Sequence, residues 1–224
     1  MEFDSVQIGA DDVAAAARSY EILLGAAPMR NATGTKRFQL QHGAVEIETG
    51  DSGLHSMRFA TAADSPPAPA ETFHGLRVAV ARAMPTTAAA RIAGGVDALD
   101  HVVINTPDAE RAIALWRDRL GLRLALDREF PQRGLRLVFF RSAGVTLEFA
   151  APLPPPADRS GSDAFYGLAY RVGDLAACRA RLLQAGMDVS EPRAGQKRGT
   201  TVATVRSGTA GVPTLLIHDA SRGL

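Results

Sequence analysis

The chain contains the same strand–helix–strands pattern more than once, and this repetition restricts its fold more than any other feature. The segment FDSVQIGADDVAAAARSYEILLG, residues 3–25, aligns without a gap with LDHVVINTPDAERAIALWRDRLG, residues 99–121. Further along, RFQLQHGAVEIE, residues 37–48, aligns with LVFFRSAGVTLE, residues 137–148. Each copy combines a strand, a helix with one apolar stripe, and two strands joined by a turn. The sequence therefore predicts a repeated α+β unit.

Two further copies extend this pattern. The same order of elements appears in residues 165–186, and the strand-like segments TTVATVRS and PTLLIHDA follow it. A shorter unit occupies residues 52–84, where the stretch ADSPPAPAE is too rich in proline for a helix. Residues 85–96 read as a linker. Because two such units normally pair, we predict an N-terminal half, residues 1–92, and a C-terminal half, residues 97–224.

The composition indicates a soluble protein that binds neither nucleic acid nor an anionic membrane. The 25 basic and 24 acidic residues leave a net charge of +1, which provides no long-range field for nucleic acid or an anionic membrane. No apolar run reaches the roughly 18 residues needed to span a bilayer, and the N-terminus is unlike a signal peptide, so we expect a cytoplasmic protein. The single cysteine, Cys178, excludes an intramolecular disulfide and a cysteine-rich metal site. Cys178 and Trp116 both lie on apolar helix stripes and are predicted to be core residues.

One histidine and one glutamate stand out because strand alternation places them on the same side of the predicted sheet. In LDHVVIN, Val102 and Ile104 are expected to face the helix, so His101 faces the opposite side. In VTLEFA, the same alternation directs Glu148 to that side. A carboxylate on such a face is costly to keep ionised unless it is paired or bound to a metal, and otherwise it is protonated. The two residues therefore predict a site.

The repeated unit resembles the vicinal oxygen chelate superfamily, which includes glyoxalase I, bleomycin-resistance proteins, fosfomycin-resistance enzymes and extradiol dioxygenases. The resemblance covers nearly the whole chain and is most specific in LDHVVINTPDAERAIALWRDRLGLRL and GVTLEFA. It implies repeated βαβββ units that form two incomplete barrels, of which the N-terminal one is degenerate here. It also implies a divalent metal held by a histidine and a glutamate at the positions of His101 and Glu148.

The resemblance leaves the remaining metal ligands uncertain. In the fourth unit, Gly167 and Leu216 stand at the matching positions, and His218 is the nearest replacement. Together His101, Glu148 and His218 would give the three protein ligands of a catalytic zinc, nickel, manganese or iron site.

The N-terminal half lacks a comparable set of ligands. Ser5 stands where the third unit has its histidine, although the alignment matches Glu48 with Glu148. This half is therefore expected to be a scaffold or a dimer surface, and a homodimer is one possible assembly.

Three functions stay open from these residues. The first is a metal-dependent, glyoxalase-like lyase or isomerase acting on a small oxygenated metabolite, with Glu148 as a metal ligand and possible base. The others are an extradiol-type dioxygenase and a metal-free protein that binds a small molecule, as resistance proteins do. Arg171 and Asn105 by alternation, and Arg198 in a glycine-flanked loop, are the candidate substrate contacts.

Overall fold

The computed structural model describes residues 1–30, 34–61, 68–82 and 92–221 of the chain. These residues form two β-sheets with few helices, so the predicted α+β class is confirmed. Most of the predicted linker, residues 85–91, lies outside the described residues. No helix in the described part of the chain is long and apolar enough to cross a membrane.

The first sheet has seven strands and contains the two N-terminal units. Its strands are β1 (Glu2–Ala10), β2 (Met29–Arg30), β3 (Lys36–Gln39), β4 (Ala44–Thr49), β5 (Gly53–Thr61), β6 (Ala68–Phe73) and β7 (Leu76–Arg82). They lie in the order β2-β3-β4-β1-β5-β7-β6. Helix α1 (Val13–Leu24) follows β1. It begins at Asp12, whose side chain accepts from the backbone of Ala15, and it ends at Gly25, whose φ of 66° suits glycine.

The second sheet has eight strands and repeats this arrangement. Its strands are β8 (Val96–Asn105), β9 (Arg123–Phe130), β10 (Leu135–Ser142), β11 (Val145–Pro152), β12 (Ala164–Val172), β13 (Arg193–Ala194), β14 (Thr200–Val205) and β15 (Thr214–Asp219). They lie in the order β13-β14-β15-β12-β8-β11-β10-β9. In each sheet the first strands of two units pair antiparallel, β1 with β5 and β8 with β12. The two units of each sheet are therefore joined through their first strands.

The helices pack on one face of their sheets, in a core that both sheets share. Helix α2 (Ala109–Ile113) continues as a π-helical segment (Ala114–Arg119), and α3 is Leu175–Gln184. Trp116 is fully buried, with ring centroids 6.0 Å from Phe59 of the first sheet and 5.7 Å from Phe149 of the second. Cys178 is buried in the same core, so the prediction that it and Trp116 are core residues is confirmed.

Candidate site on the open face of the second sheet

The side of the second sheet that points away from the helices carries His101, Val103 and Glu148, and we call it the open face. Val102 and Ile104 are fully buried on the helix side, whereas His101 and Val103 are only partly buried. β8 and β11 are parallel, with Thr146 beside His101 and Glu148 beside Val103. This register brings the two predicted residues together, and His101 Nε2 lies 3.7 Å from Glu148 Oε2.

A second carboxylate, Asp100, orients the imidazole. His101 Nδ1 lies 3.1 Å from Asp100 Oδ2, and Arg171 Nη1 lies 3.6 Å from Asp100 Oδ1. When Nδ1 carries the proton, it donates a hydrogen bond to Asp100, and the lone pair of Nε2 then points toward Glu148. The pairing of β8 with β12 is irregular between Ala169 and Tyr170, opposite Asp100. Sequence reasoning missed Asp100 as a site residue because regular alternation would place it on the helix side.

Glu148 is in an environment that favours its protonated form. Burial raises the pKa of Glu148 above its ordinary value of 4.5, and the positive charges of His101, when that imidazole is protonated, and of Arg133 oppose that rise. Arg133 was not predicted from the sequence. It lies in the turn between β9 and β10, whereas Glu148 lies in the middle of β11, and no local sequence pattern relates the two.

The three predicted substrate contacts lie at different distances from the site. Arg171 lies beside Asp100, next to the site, as alternation indicated. Asn105 is exposed at the end of β8, four residues beyond His101, and Arg198 is exposed in the loop before β14.

His218, the predicted third ligand, lies on the other side of the sheet. β15 places Leu215 beside Ala169 and Leu216 beside Tyr170, and Leu216 is fully buried in the core. His218, two residues after Leu216, therefore shares the helix side, and its Nδ1 lies 3.3 Å from the carbonyl oxygen of Val172. The sequence alignment matched Leu216 with Glu148, but the structure shows that Leu215 is the residue equivalent to Glu148. A shift of one residue exchanges the two faces of a strand.

The donor set of the open face does not fit the divalent metal that the resemblance implies. On β12 and β15 this face presents Gly167, Ala169, Leu215 and Ile217, whose side chains have no oxygen or nitrogen. Within the described ranges, no group of three or more His, Cys, Asp and Glu side chains could hold a metal ion. A catalytic metal usually takes three protein ligands. The same lack of metal ligands argues against an extradiol-type dioxygenase.

The corresponding face of the first sheet holds a network of buried ion pairs. Glu46, not Glu48, lies at the position of Glu148, because Glu46 pairs with Gln7 and Arg37 as Glu148 pairs with Val103 and Phe139. Arg37 donates to Glu46 at 2.5 Å and to Asp4 at 2.8 Å. The alignment was therefore two residues out of register in this hairpin.

Polar side chains complete this network. Arg58 and Gln7 each donate to Glu46 at 3.0 Å, and Ser56 donates to Gln7 at 2.6 Å. The carboxylate of Glu46 is thus satisfied entirely by the protein. In contrast to Glu148, it has guanidinium partners in direct contact.

Comparison with known proteins supports the family that the repeat indicated. A model of the glyoxalase/bleomycin resistance protein/dioxygenase superfamily matches residues 100–204. An ethylmalonyl-CoA/methylmalonyl-CoA epimerase of Cereibacter sphaeroides is 30% identical over 106 residues, which are 43% of this chain and 79% of that protein. The chain therefore belongs to the glyoxalase/bleomycin resistance/dioxygenase superfamily, as predicted.

Solved structures likewise match about half of this chain and most of their own length. Methylmalonyl-CoA epimerase from Mycobacterium tuberculosis is 26% identical, with a TM-score of 0.46 over 56% of this chain and 89% of that chain. A structure of methylmalonyl-CoA epimerase in complex with methylmalonyl-CoA and NH4+ is 20% identical, with a TM-score of 0.44 over 55% of this chain and 94% of that chain.

Proposed function

We propose that the protein is an isomerase-type enzyme that moves a proton next to the carbonyl group of a small carboxylated metabolite, with Glu148 as the base. The observation that carries this proposal is the 3.7 Å separation of His101 Nε2 and Glu148 Oε2 on a face where both side chains are partly exposed, at 17% and 21%. A base needs access to its substrate, and a raised pKa makes a carboxylate a stronger base; Glu148 combines partial exposure with a pKa raised by burial.

The reaction follows from the neighbours of Glu148. Its ionised carboxylate takes a proton from the carbon next to the substrate carbonyl, which leaves a protonated Glu148 and an enolate. His101, oriented by Asp100, accepts a hydrogen bond from the protonated Glu148 and so holds the proton close to the enolate. Positive charge from Arg171, which lies beside Asp100, stabilises the enolate oxygen. After the planar enolate turns over on the open face, Glu148 returns the proton to the opposite side of the carbon, which completes the isomerisation and restores the carboxylate.

The names of the relatives suggest the first substrate to test. The matching protein of Cereibacter sphaeroides is named for ethylmalonyl-CoA and methylmalonyl-CoA. In both compounds the carbon between the thioester and the carboxylate carries an acidic proton. Incubation with methylmalonyl-CoA in D2O should therefore incorporate deuterium at that carbon, as followed by mass spectrometry.

Variants distinguish catalysis by Glu148 from a background reaction. Glu148→Gln should slow exchange by about 100-fold or more, as loss of a general base does. Glu129→Gln, which changes an exposed glutamate in the same half, should exchange at the parent rate. Equal rates for the parent and Glu148→Gln would refute the proposal.

Metal dependence is tested separately by elemental analysis. Because no group of three His, Cys, Asp or Glu side chains in the described ranges could hold a metal ion, we expect no stoichiometric divalent metal in the parent protein. A stoichiometric metal that disappears in both His101→Ala and Glu148→Gln would restore the metal-dependent reaction.

A metal-free binding protein is the second candidate, and the apolar part of the open face favours it. Phe139, opposite Glu148, is partly exposed, as are Leu215 and Ile217. Binding of methylmalonyl-CoA without deuterium exchange would support this second function.

A further inference from the structure

Arg133 lies in a turn that backbone hydrogen bonds hold in place. Pro131–Arg133 form one 3-10 turn, and Gly134 ends it with a φ of 63°. Gly134 N–H donates to the carbonyl of Pro131 at 3.0 Å, and the Gly134 carbonyl accepts from Leu153 N–H at 2.8 Å. Because Leu153 directly follows β11, the turn is fixed to the strand that carries Glu148.

The guanidinium of Arg133 is positioned by two side chains from different units. Its carbon Cζ lies 5.9 Å from the ring centroid of Phe130, which supports the planar group as a cation–π contact. It also donates to the side-chain oxygen of Gln196, in the loop before β14. The turn of the third unit and the loop of the fourth unit therefore meet at Arg133.

The charge of Arg133 has no carboxylate partner within 4.0 Å among the described residues, although other arginines of this half do. Arg136 pairs with Asp127 at 2.7 Å, and Arg171 lies 3.6 Å from Asp100. The neutral amide of Gln196 satisfies a donor of the exposed Arg133 but brings no charge, and Arg133 interacts with the charge of Glu148 only from beyond 4.0 Å. A guanidinium binds a carboxylate more strongly than an amide, through two parallel hydrogen bonds.

We propose that Arg133 binds the carboxylate of the substrate and thereby determines which acyl compounds the open face accepts. This inference rests on the proposed function and names its substrate class, a small acyl compound with a second, anionic carboxylate. The carboxylate takes the place of Gln196 on the guanidinium, and the acyl group extends over the open face toward Glu148. Arg133 is then a specificity-determining residue that handles no proton.

Two thioesters that differ in one carboxylate test this proposal by binding alone. Dissociation constants for methylmalonyl-CoA and propionyl-CoA are measured by calorimetry for the parent and the variants. The parent should prefer methylmalonyl-CoA by about tenfold or more, which is the effect of a hydrogen bond to a charged group. Arg133→Ala should reduce the ratio to about one, and Arg133→Lys should keep part of it. Arg206→Ala, which removes an exposed arginine of the same half, should leave the ratio unchanged.

Several results would overturn the role of Arg133. The first is an unchanged ratio of the two dissociation constants in an Arg133→Ala protein whose circular dichroism spectrum matches that of the parent. The others are a parent protein that does not distinguish the two thioesters and a parent protein that binds neither of them. The proposed function fails independently: a preference that depends on Arg133, without deuterium exchange, refutes the enzyme and supports the subsite. Exchange that depends on Glu148, without such a preference, refutes the subsite alone.

Discussion

Replacement of Arg37 by alanine is expected to destabilise the protein strongly, because this arginine neutralises two carboxylates in the first sheet. Its side chain is 4% exposed, and those of Asp4 and Glu46 are 11% and 3% exposed. Arg37 donates twice to Asp4, at 2.8 and 3.0 Å, and once to Glu46, at 2.5 Å. It also donates twice to the side-chain oxygen of Gln39.

The expected loss is about 3 kcal/mol of unfolding free energy. Removal of one partner from a buried ion pair typically costs about 3–5 kcal/mol, because the remaining charge stays buried. Glu46 keeps Arg58 and Gln7 at 3.0 Å, and Asp4 is partly accessible to water, so the lower end applies. A loss of this size is a large fraction of the roughly 5–15 kcal/mol that stabilises a typical domain.

Urea unfolding at pH 7 measures this loss. The control is Arg206→Ala: Arg206 and Asp188 form an ion pair at 3.5 Å with both side chains 58% exposed, and such pairs contribute about 0–1 kcal/mol. Glu46→Gln should also cost about 2 kcal/mol or more, whereas Glu48→Gln should stay within about 0.5 kcal/mol. A loss below about 1 kcal/mol for Arg37→Ala would refute the buried network as a source of stability.

Three further predictions concern the site and the core. Because burial raises the pKa of Glu148, its favourable contribution to stability is present below pH 4.5 and is lost as the pH rises through the folded-state pKa. Glu148→Gln should therefore be more stable than the parent at pH 8 and equal to it at pH 4, in thermal unfolding. The kcat/KM of deuterium exchange should rise with pH, with a midpoint above pH 4.5. Arg133→Ala should move that midpoint to higher pH in a pH–rate profile, because the charge of Arg133 lowers the pKa of Glu148. Trp116→Ala, which removes the ring between Phe59 and Phe149, should cost about 3–5 kcal/mol in urea unfolding.

The sequence predicted the fold because its signals are local and repeated. Helix α1 begins after Asp12 and ends at Gly25, and the aligned Asp108 caps the start of α2 in the same way. The apolar alternation of β8 also identified which side of the strand carries His101. How the units pair was not predicted: the sequence left open whether they pair within one chain, and the structure joins β1 to β5 and β8 to β12.

The sequence was less informative about the site, because strand alternation has a period of two. A two-residue error in the alignment of β4 with β11 matched Glu48 with Glu148, and it left every side chain on its expected face. Only the register with β1 and β3 shows that Glu46 is the equivalent residue. A one-residue error in β15 had the opposite effect and moved His218 to the wrong face.

The comparison of Glu46 with Glu148 explains why one sheet can act as a scaffold while the other can carry chemistry. Both carboxylates lie at the same position of the repeated unit, beside the first strand. In the first sheet, Arg37 and Arg58 contact Glu46. At the equivalent positions, the second sheet has Phe139 and Ala169. Within the described part of the chain, Glu148 therefore has no guanidinium group in direct contact, and burial raises its pKa against the more distant charge of Arg133. The difference between a stabilising ion pair and a candidate base therefore depends on the neighbouring strands, and a carboxylate alone does not identify the site.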